Sequence, residues 1–572
     1  MTEQKNLVIA LAAAMLILVG FHYLYERPKQ LEVLAKLDKK EVVDTQGKPI
    51  MPQITTAATA PKEIVARSIA TTSAERIRIN TPSLQGSINL NGAVIDDLTL
   101  PKYRESTKKD SESVKLLSPD NTEQSYFVQM GWQTIEGTWP AANAKWQTSD
   151  TELTIDKPLR LTYSDGNGLE VERTVKIDEN YMFSITDRVT NSSEKPVAMT
   201  PFSAINRNYE PEVGGYMILH EGMIGVWDGK KLEEFSYSNV VDDKRIERSS
   251  TGGWMGITDK YWLVALIPNQ NMPIQAFFES TPADVTTRRP IHYGAGYRGT
   301  PIKLQPGTSQ EFTQHMFAGA KVLRMLDDYE KKLGFNNFDK AIDFGWLYFL
   351  TKPIFYLLEA LNRILDNFGL SILVMTILFK IALFPMANKS YRSMSRMKKF
   401  QPIIKQINER YAHDKMAKNQ AMMDLHKKEK INPMSGCLPM LIQIPIFYCL
   451  YKVLFVTIEM RHAPFYGWID DLSQPDPTSL FNLFGLIPLE LPSALQIGLW
   501  PILMGLSMIV QQRLNPQPTD PVQAKMFLIL PLVMVSMFSS FPAGLVIYWF
   551  WSNILSIIQQ KAIMHLEEKN AK

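Results

Sequence analysis

The chain has 572 residues, with 61 Lys and Arg against 58 Asp and Glu for a net charge of +3. That length excludes a single ordinary domain, and the total charge says little until its distribution is followed along the chain. The two cysteines, Cys437 and Cys449, are separated by about 18 Å of helix, which excludes a disulfide between them. They read as small buried hydrophobes.

The mean hydropathy of −0.11 averages two unlike halves. Residues 6–25, NLVIALAAAMLILVGFHYLY, carry no acidic or basic side chain. No small-residue cleavage pattern follows them, so 1–25 reads as an uncleaved signal-anchor span with Tyr23 and Tyr25 at an interface. Residues 26–74 hold scattered charges, four prolines and the run TTAATA, and read as a flexible tether. From 75 the pattern changes to short strands. ERIRIN, GSINL, AVIDDLTL, YMFSITDRVTN, YWLVALI and IQAFFES approximate period-two alternation, and LRLTYSDGNGLEVERTVKI predicts a hairpin around Asp165-Gly166-Asn167-Gly168. Residues 75–335 therefore form a large β-sandwich closed by a helix over 321–333. Residues 336–365 are aromatic-rich, interrupted at Lys352-Pro353, and read as an interfacial amphipathic helix.

Long uncharged runs dominate 366–565. They predict spans at 367–388, 433–458, 491–512, 523–540 and 543–560, the last two divided by the breaker Phe541-Pro542-Ala543-Gly544. With the N-terminal anchor this makes six spans. The fold class is thus a polytopic α-helical membrane protein carrying a large all-β domain. Residues 387–432 contain twelve Lys/Arg and four Asp/Glu, whereas 458–494 contain one basic and five acidic residues. Basic loops stay on the cytoplasmic side. Threading six spans from there places both termini in the cytoplasm and residues 26–365 outside, which in a bacterium is the periplasm.

Lys380 is the only charge between Asp366 and Lys389. A lysine inside such a span is costly, and it either faces protein or water or snorkels to the nearer interface. Thr376 shares its face at i, i+4 spacing, and Asn388 follows at the inner end, about 80° further round a continuous helix. Gln443 lies near the middle of the third span, Ser507 and Gln511 are one turn apart on the fourth, and Ser552, Ser556 and Gln559 form a stripe on the sixth. Each of these could simply bond between packed helices. Their shared depth in the cytoplasmic half instead suggests a hydrated cavity open inward and closed outward.

The segment 390–432 predicts an antiparallel pair of basic amphipathic helices joined near 412–414. It could rest on anionic lipid through Lys398, Lys399, Lys427 and Lys428. It could equally receive apolar segments through Met394, Met397, Met422 and Met423, whose thioethers adapt to varied partners. Residues 561–572 form a short tail. No nucleotide loop and no H-E-x-x-H zinc motif occurs; Ser395-Arg396-Met397-Lys398 matches S-x-x-K without the companion motifs. No cofactor, metal site or nucleic-acid binding is expected.

Through 341–565 the chain resembles the YidC membrane-protein insertase family. The resemblance is carried by IDFGWLYFLTKPIF, SILVMTILFKIALFPM, KEKINPMSGCLPMLIQIPIFYCLY and FPAGLVIYWFWSNILSIIQQ. The outer domain is similar in arrangement to the β-supersandwich of Gram-negative members. The resemblance implies a non-enzymatic insertase and chaperone of the bacterial inner membrane. Its implied partners are nascent membrane proteins, the Sec translocon, the signal recognition machinery, membrane lipids and, through so short a tail, the ribosome only weakly. Lys380 occupies the place of a groove residue that is usually arginine, keeping the charge without the planar fork of donors. Substrate-contact positions correspond to Thr376, Ile444, Tyr548 and Trp549, the last being tyrosine in many members. A small secondary transporter or channel, and a membrane-anchored sugar-binding sandwich, are the alternative readings. The transporter should show paired ionisable residues, which the apolar outer halves do not offer.

Overall fold

A computed structural model describes residues 64–570 except 136, 212–218, 284–290, 412–413, 430–437, 486, 488–495 and 516–520. The expected anchor at 1–25, most of the tether and Cys437 lie outside the described residues.

Among the described residues the β-domain contains a 12-stranded and an 8-stranded sheet. Alternation in the sequence translates directly into faces. In Leu169–Ile177 every second side chain is buried while the intervening ones are exposed or half-buried, as a two-residue pleat requires. Call the strands near the centre of the argument β1 (Tyr126–Thr134), β2 (Leu159–Ser164), β3 (Leu169–Ile177), β4 (Met182–Asn191) and β5 (Thr308–Ala320). β2 and β3 form the expected hairpin, with Ser164 opposite Glu170. Its turn is held by Asp165 Oδ1, which accepts from the amides of Asn167 (2.7 Å) and Leu169 (3.1 Å). Gly166 and Gly168 have φ of +74° and +99°, angles that side chains rarely adopt. β2 to β5 run antiparallel in the 8-stranded sheet, and β1 belongs to the 12-stranded one.

The two sheets pack face to face, with Trp132, Trp146, Trp254, Tyr126 and Phe183 among the largest buried side chains. A buried ion pair within the 8-stranded sheet reaches across to the other sheet. Arg173 on β3 donates to both carboxylate oxygens of Asp187 on β4 (2.7 and 2.8 Å) and to the Met130 carbonyl of β1 (3.2 Å). Trp132 Nε1 of β1 completes the Asp187 shell at 3.1 Å. Such a pair is tolerable inside because nearly every donor and acceptor is satisfied.

From β5 the chain enters helix α1 (Leu323–Leu333), which stops at the left-handed Gly334. Helix α2 (Tyr348–Leu365) follows. It begins later than the expected 336–365 and runs through Lys352-Pro353 without interruption, Pro353 lying inside it. Lys352 reaches Asp327 (2.8 Å) and Asp339, and Arg324 clasps Glu359 with bonds of 2.6 and 2.7 Å, so α2 is strapped to α1. The side away from its buried Ile354, Phe355 and Leu358 leaves Phe349 and Ile364 exposed, with Trp346 just before the helix.

The remaining helices are α3 (Phe368–Ala382), α4 (Phe384–Lys399), α5 (Gln401–Arg410), α6 (Lys415–Lys428), α7 (Leu438–Val456), α8 (Leu499–Leu514), α9 (Pro521–Phe538) and α10 (Ala543–Asn570). Two expectations change. The continuous helix expected over 367–388 is broken at Leu383, where α4 departs at 69° from α3. Pro385 at the start of α4 explains the break: it has no amide proton to give the Ile381 carbonyl, and its ring would clash with that carbonyl in a continuous helix. The expected tail at 561–572 is helical to Asn570, a continuation of α10. Among the described residues no single helix is long and apolar enough to cross a membrane; the bent pair α3–α4 passes that test together. α9 nonetheless presents Leu528, Ile529, Leu532 and Val533 outward, each more than half exposed, an apolar face that water would penalise.

The β-domain and helices meet at a polar junction. Lys452 of α7 is 2% exposed and pairs with Asp343 (2.9 Å), whose carboxylate also accepts from the His220 amide (3.1 Å). Nearby, burial pulls the Lys321 ammonium down to about 8 despite Asp259, Glu221, Asp343 and Glu234 around it. The loop after α7 lies against the same domain, with Arg461 donating to the Glu105 carbonyl (3.2 Å). That loop also caps α10, the Gln474 and Leu472 carbonyls accepting from the amides of Ala543 (2.7 Å) and Gly544 (3.0 Å).

Two stability tests follow from the β-domain. Asp187→Ala strands the Arg173 guanidinium and should cost about 3–5 kcal/mol, read from the urea midpoint of tryptophan fluorescence; the pair Arg173→Met with Asp187→Leu should cost far less. The second concerns His292, whose imidazole contacts Asn206 Oδ1 (3.1 Å) and is held down to about 4 by burial. Between that value and the ordinary ~6.5 the unfolded chain binds a proton that the native state refuses. This contribution is therefore complete above pH ~6.5 and is lost as pH falls to about 4. The urea midpoint of His292→Gln should decline less steeply over that interval than that of the parent protein.

Candidate functional site

Helix α10 packs against α3, α4, α7 and α8, and most of the residues singled out from the sequence lie on those contacts. Lys380 occupies the last turn of α3, where the unsatisfied carbonyls and helix dipole favour a cation. Its ammonium donates to Ser556 Oγ (2.8 Å), and the Ser556 hydroxyl donates to the Ser552 carbonyl (2.8 Å). Gln559 Nε2 reaches the Lys380 carbonyl at 3.4 Å. The stripe Ser552, Ser556, Gln559 thus faces Lys380 and holds both its side chain and its backbone. Among the described residues no carboxylate pairs with this ammonium.

The other residues divide between partners. Thr376 is buried on α3, its hydroxyl returned to the Ile372 carbonyl (2.6 Å). Gln443 donates to the Tyr548 hydroxyl, joining α7 to α10. Ser507 donates to the Met504 carbonyl (2.6 Å) and accepts from Asn553 Nδ2 (2.9 Å), joining α8 to α10; Gln511 is half-buried one turn beyond. Ile444 is 58% exposed, on the outside of α7. Trp549 stacks edge-on with Phe447 and Phe538 at 4.7 and 4.9 Å, part of an aromatic cluster that fills the bundle beyond the polar residues. Asn388 does not follow Lys380 round one helix. The 69° break carries it onto α4, where its carbonyl accepts from Arg392 (3.1 Å).

Four residues were not singled out from the sequence. Asn553 and Gln560 stand seven apart on α10; Asn553 meets Ser507, and Gln560 Nε2 meets the Leu514 carbonyl (3.3 Å) and Asn515 (3.2 Å). The i, i+7 spacing of two amides beside the serine stripe is the signal that marks this second polar face. Trp551 donates to the Leu373 carbonyl (3.2 Å), and Tyr391 of α4 is buried against Ile563 of α10.

The basic segment comprises α4, α5 and α6, with α5 against α6; the first expected helix is divided at Phe400, just before Pro402. Lys398, Lys399, Lys427 and Lys428 are exposed. Met394, expected on an open receptor surface, is instead buried with Ala387, Tyr391 and Ile563, because α10 continues past 560 and covers it. Met397 and Met422 are half-buried, whereas Met423 and Met416 are 50% and 85% exposed. No cluster able to hold a metal ion occurs among the described residues.

Two family models match the chain: the YidC periplasmic domain over residues 76–357 and the 60Kd inner membrane protein over 360–570. A membrane protein insertase YidC of Methylorubrum extorquens (strain PA1) is 44% identical, the match covering 98% of this chain and 95% of the relative. The protein of that name from Brucella suis biovar 1 (strain 1330) is also 44% identical, over 99% and 96%. Among solved structures, an active YidC insertase with its first transmembrane domain resolved is 15% identical, covering 88% of this chain and 94% of its own, at a TM-score of 0.35.

The Ser507–Asn553 contact generates a simple test. Ser507→Ala leaves the Asn553 amide without its partner between α8 and α10 and should cost about 1 kcal/mol, visible as a lower thermal midpoint in detergent. Ser507→Thr should retain the midpoint.

Proposed function

The chain belongs to the YidC family of membrane protein insertases, and from that premise we propose that it captures translocating segments with the Lys380 ammonium in a polar groove between α3, α7, α8 and α10. The observation that carries this reading is the Lys380–Ser556 contact. The ammonium turns inward to a neutral hydroxyl and keeps its charge available to an incoming carboxylate. α3 spans only about 22 Å before it breaks, less than a ~30 Å hydrocarbon layer. A hydrated inner half would shorten the apolar path for a polar segment, and the substrate's own apolar helix would then leave sideways into lipid.

The topology proposed is six spans with both termini in the cytoplasm and residues 26–365 in the periplasm. Support comes from the basic 387–432 segment and from the acidic loop after α7, which lies against the β-domain. The aromatic cluster of Phe447, Phe538 and Trp549 supports an outer side closed to water. The protein acts by binding and release, alone or beside the Sec translocon, without bond chemistry. Receptor work by the basic segment would fall to Met397, Met416, Met422 and Met423, Met394 being covered; the exposed lysines would hold anionic lipid or the signal recognition machinery.

Charge substitution tests the groove. Lys380→Arg should insert substrates as the parent does, and Lys380→Glu should lose at least about tenfold on substrates with acidic translocated segments. Insertion would be scored by protease protection in proteoliposomes, with the thermal midpoint as a folding control. Equal insertion by all three proteins would sink the capture role.

A further inference from the structure

Lysine carries its charge on a flexible four-carbon stem that readily snorkels toward water. Lys380 stands two residues before the end of α3, so the inner interface is within easy reach of an unrestrained ammonium. It is restrained by Ser556. The Ser556 proton is committed to the Ser552 carbonyl (2.8 Å), which leaves the hydroxyl oxygen as an acceptor, and Lys380 Nζ donates to it at 2.8 Å. The Tyr391 ring is fixed by Ala387, Met394 and Ile563 where α4 meets the end of α10.

We propose that Ser556, oriented by the Ser552 carbonyl, is a positioning residue that sets the protein's preference for acidic translocated segments by keeping the Lys380 ammonium at depth without neutralising it. A carboxylate at this place would quench the charge. An apolar side chain would let the ammonium swing to the interface. A hydroxyl does neither, and it yields to a substrate carboxylate because the carboxylate adds an opposite full charge to the hydrogen bond.

The inference rests on the groove-charge reading, and the test separates the two. Full-length protein in proteoliposomes would insert two single-span substrates that differ only in carrying two Asp or two Asn in the translocated segment. The measured quantity is the ratio of acidic to neutral insertion. Lys380→Gln should lower that ratio. Ser556→Ala should lower it by at least about tenfold, the scale of one hydrogen bond to a charged group. Ser556→Thr should restore it. Ser556→Cys, whose sulfur is only a weak acceptor, takes the place of Ser556→Ala should that variant fail to fold. A ratio unchanged by loss of the hydroxyl but lowered by Lys380→Gln would overturn the inference and leave the groove reading standing. An equal fall for both substrates would reduce Ser556 to helix packing and overturn it too. A ratio that Lys380→Gln leaves unchanged would remove the groove reading itself.

Discussion

An ammonium among apolar helices must be hydrogen-bonded or hydrated, and around Lys380 the helices are arranged to meet that demand. The break at Leu383 puts the lysine at a helix end, beside carbonyls that have no intrahelical partner. α10 then supplies Ser556 to the side chain and Gln559 to the backbone. A continuous α3 would have left the charge mid-helix with no free carbonyls nearby. Pro385 therefore does more than end a helix: it makes the charge tolerable at that depth.

α10 is the element through which the rest communicates. One of its polar faces meets Lys380 through the serine stripe, a second meets α8 through Asn553 and Gln560, and Tyr548 reaches Gln443 of α7. Its far end covers Tyr391 and Met394 at the root of the basic segment. Polar contacts between apolar helices are individually modest. Their value here lies in register, since sliding α10 by one residue would withdraw all of these partners together.

The β-domain is joined to this bundle by desolvated charges as well as by one continuous apolar core. Lys452, Asp343 and the His220 amide link α7, the segment before α2 and the β-domain in one cluster, and Lys352 and Arg324 bind α2 to α1. Removing Asp343 from the buried cluster leaves the Lys452 charge without that carboxylate, which costs far more than the pair contributes. The junction is therefore geometrically specific.

Patterns of period and charge were enough to read much of this protein. Strand alternation gave the sandwich and the β2–β3 hairpin, because each pleat has one buried face whatever lies opposite. Uncharged runs located the apolar helices, and Lys380, Ser552 and Ser556 were legible because polar groups are rare there. What tertiary structure alone decided was which partner each polar group meets. Asn388 looked like a neighbour of Lys380 until the bend at Leu383 moved it to α4; Met394 looked exposed until α10 ran on to cover it. Asn553 and Tyr391 gained their places only from packing. Periodicity reports which side of an element is buried, whereas a hydrogen bond between residues 176 positions apart, such as Lys380 to Ser556, depends on how whole helices cross.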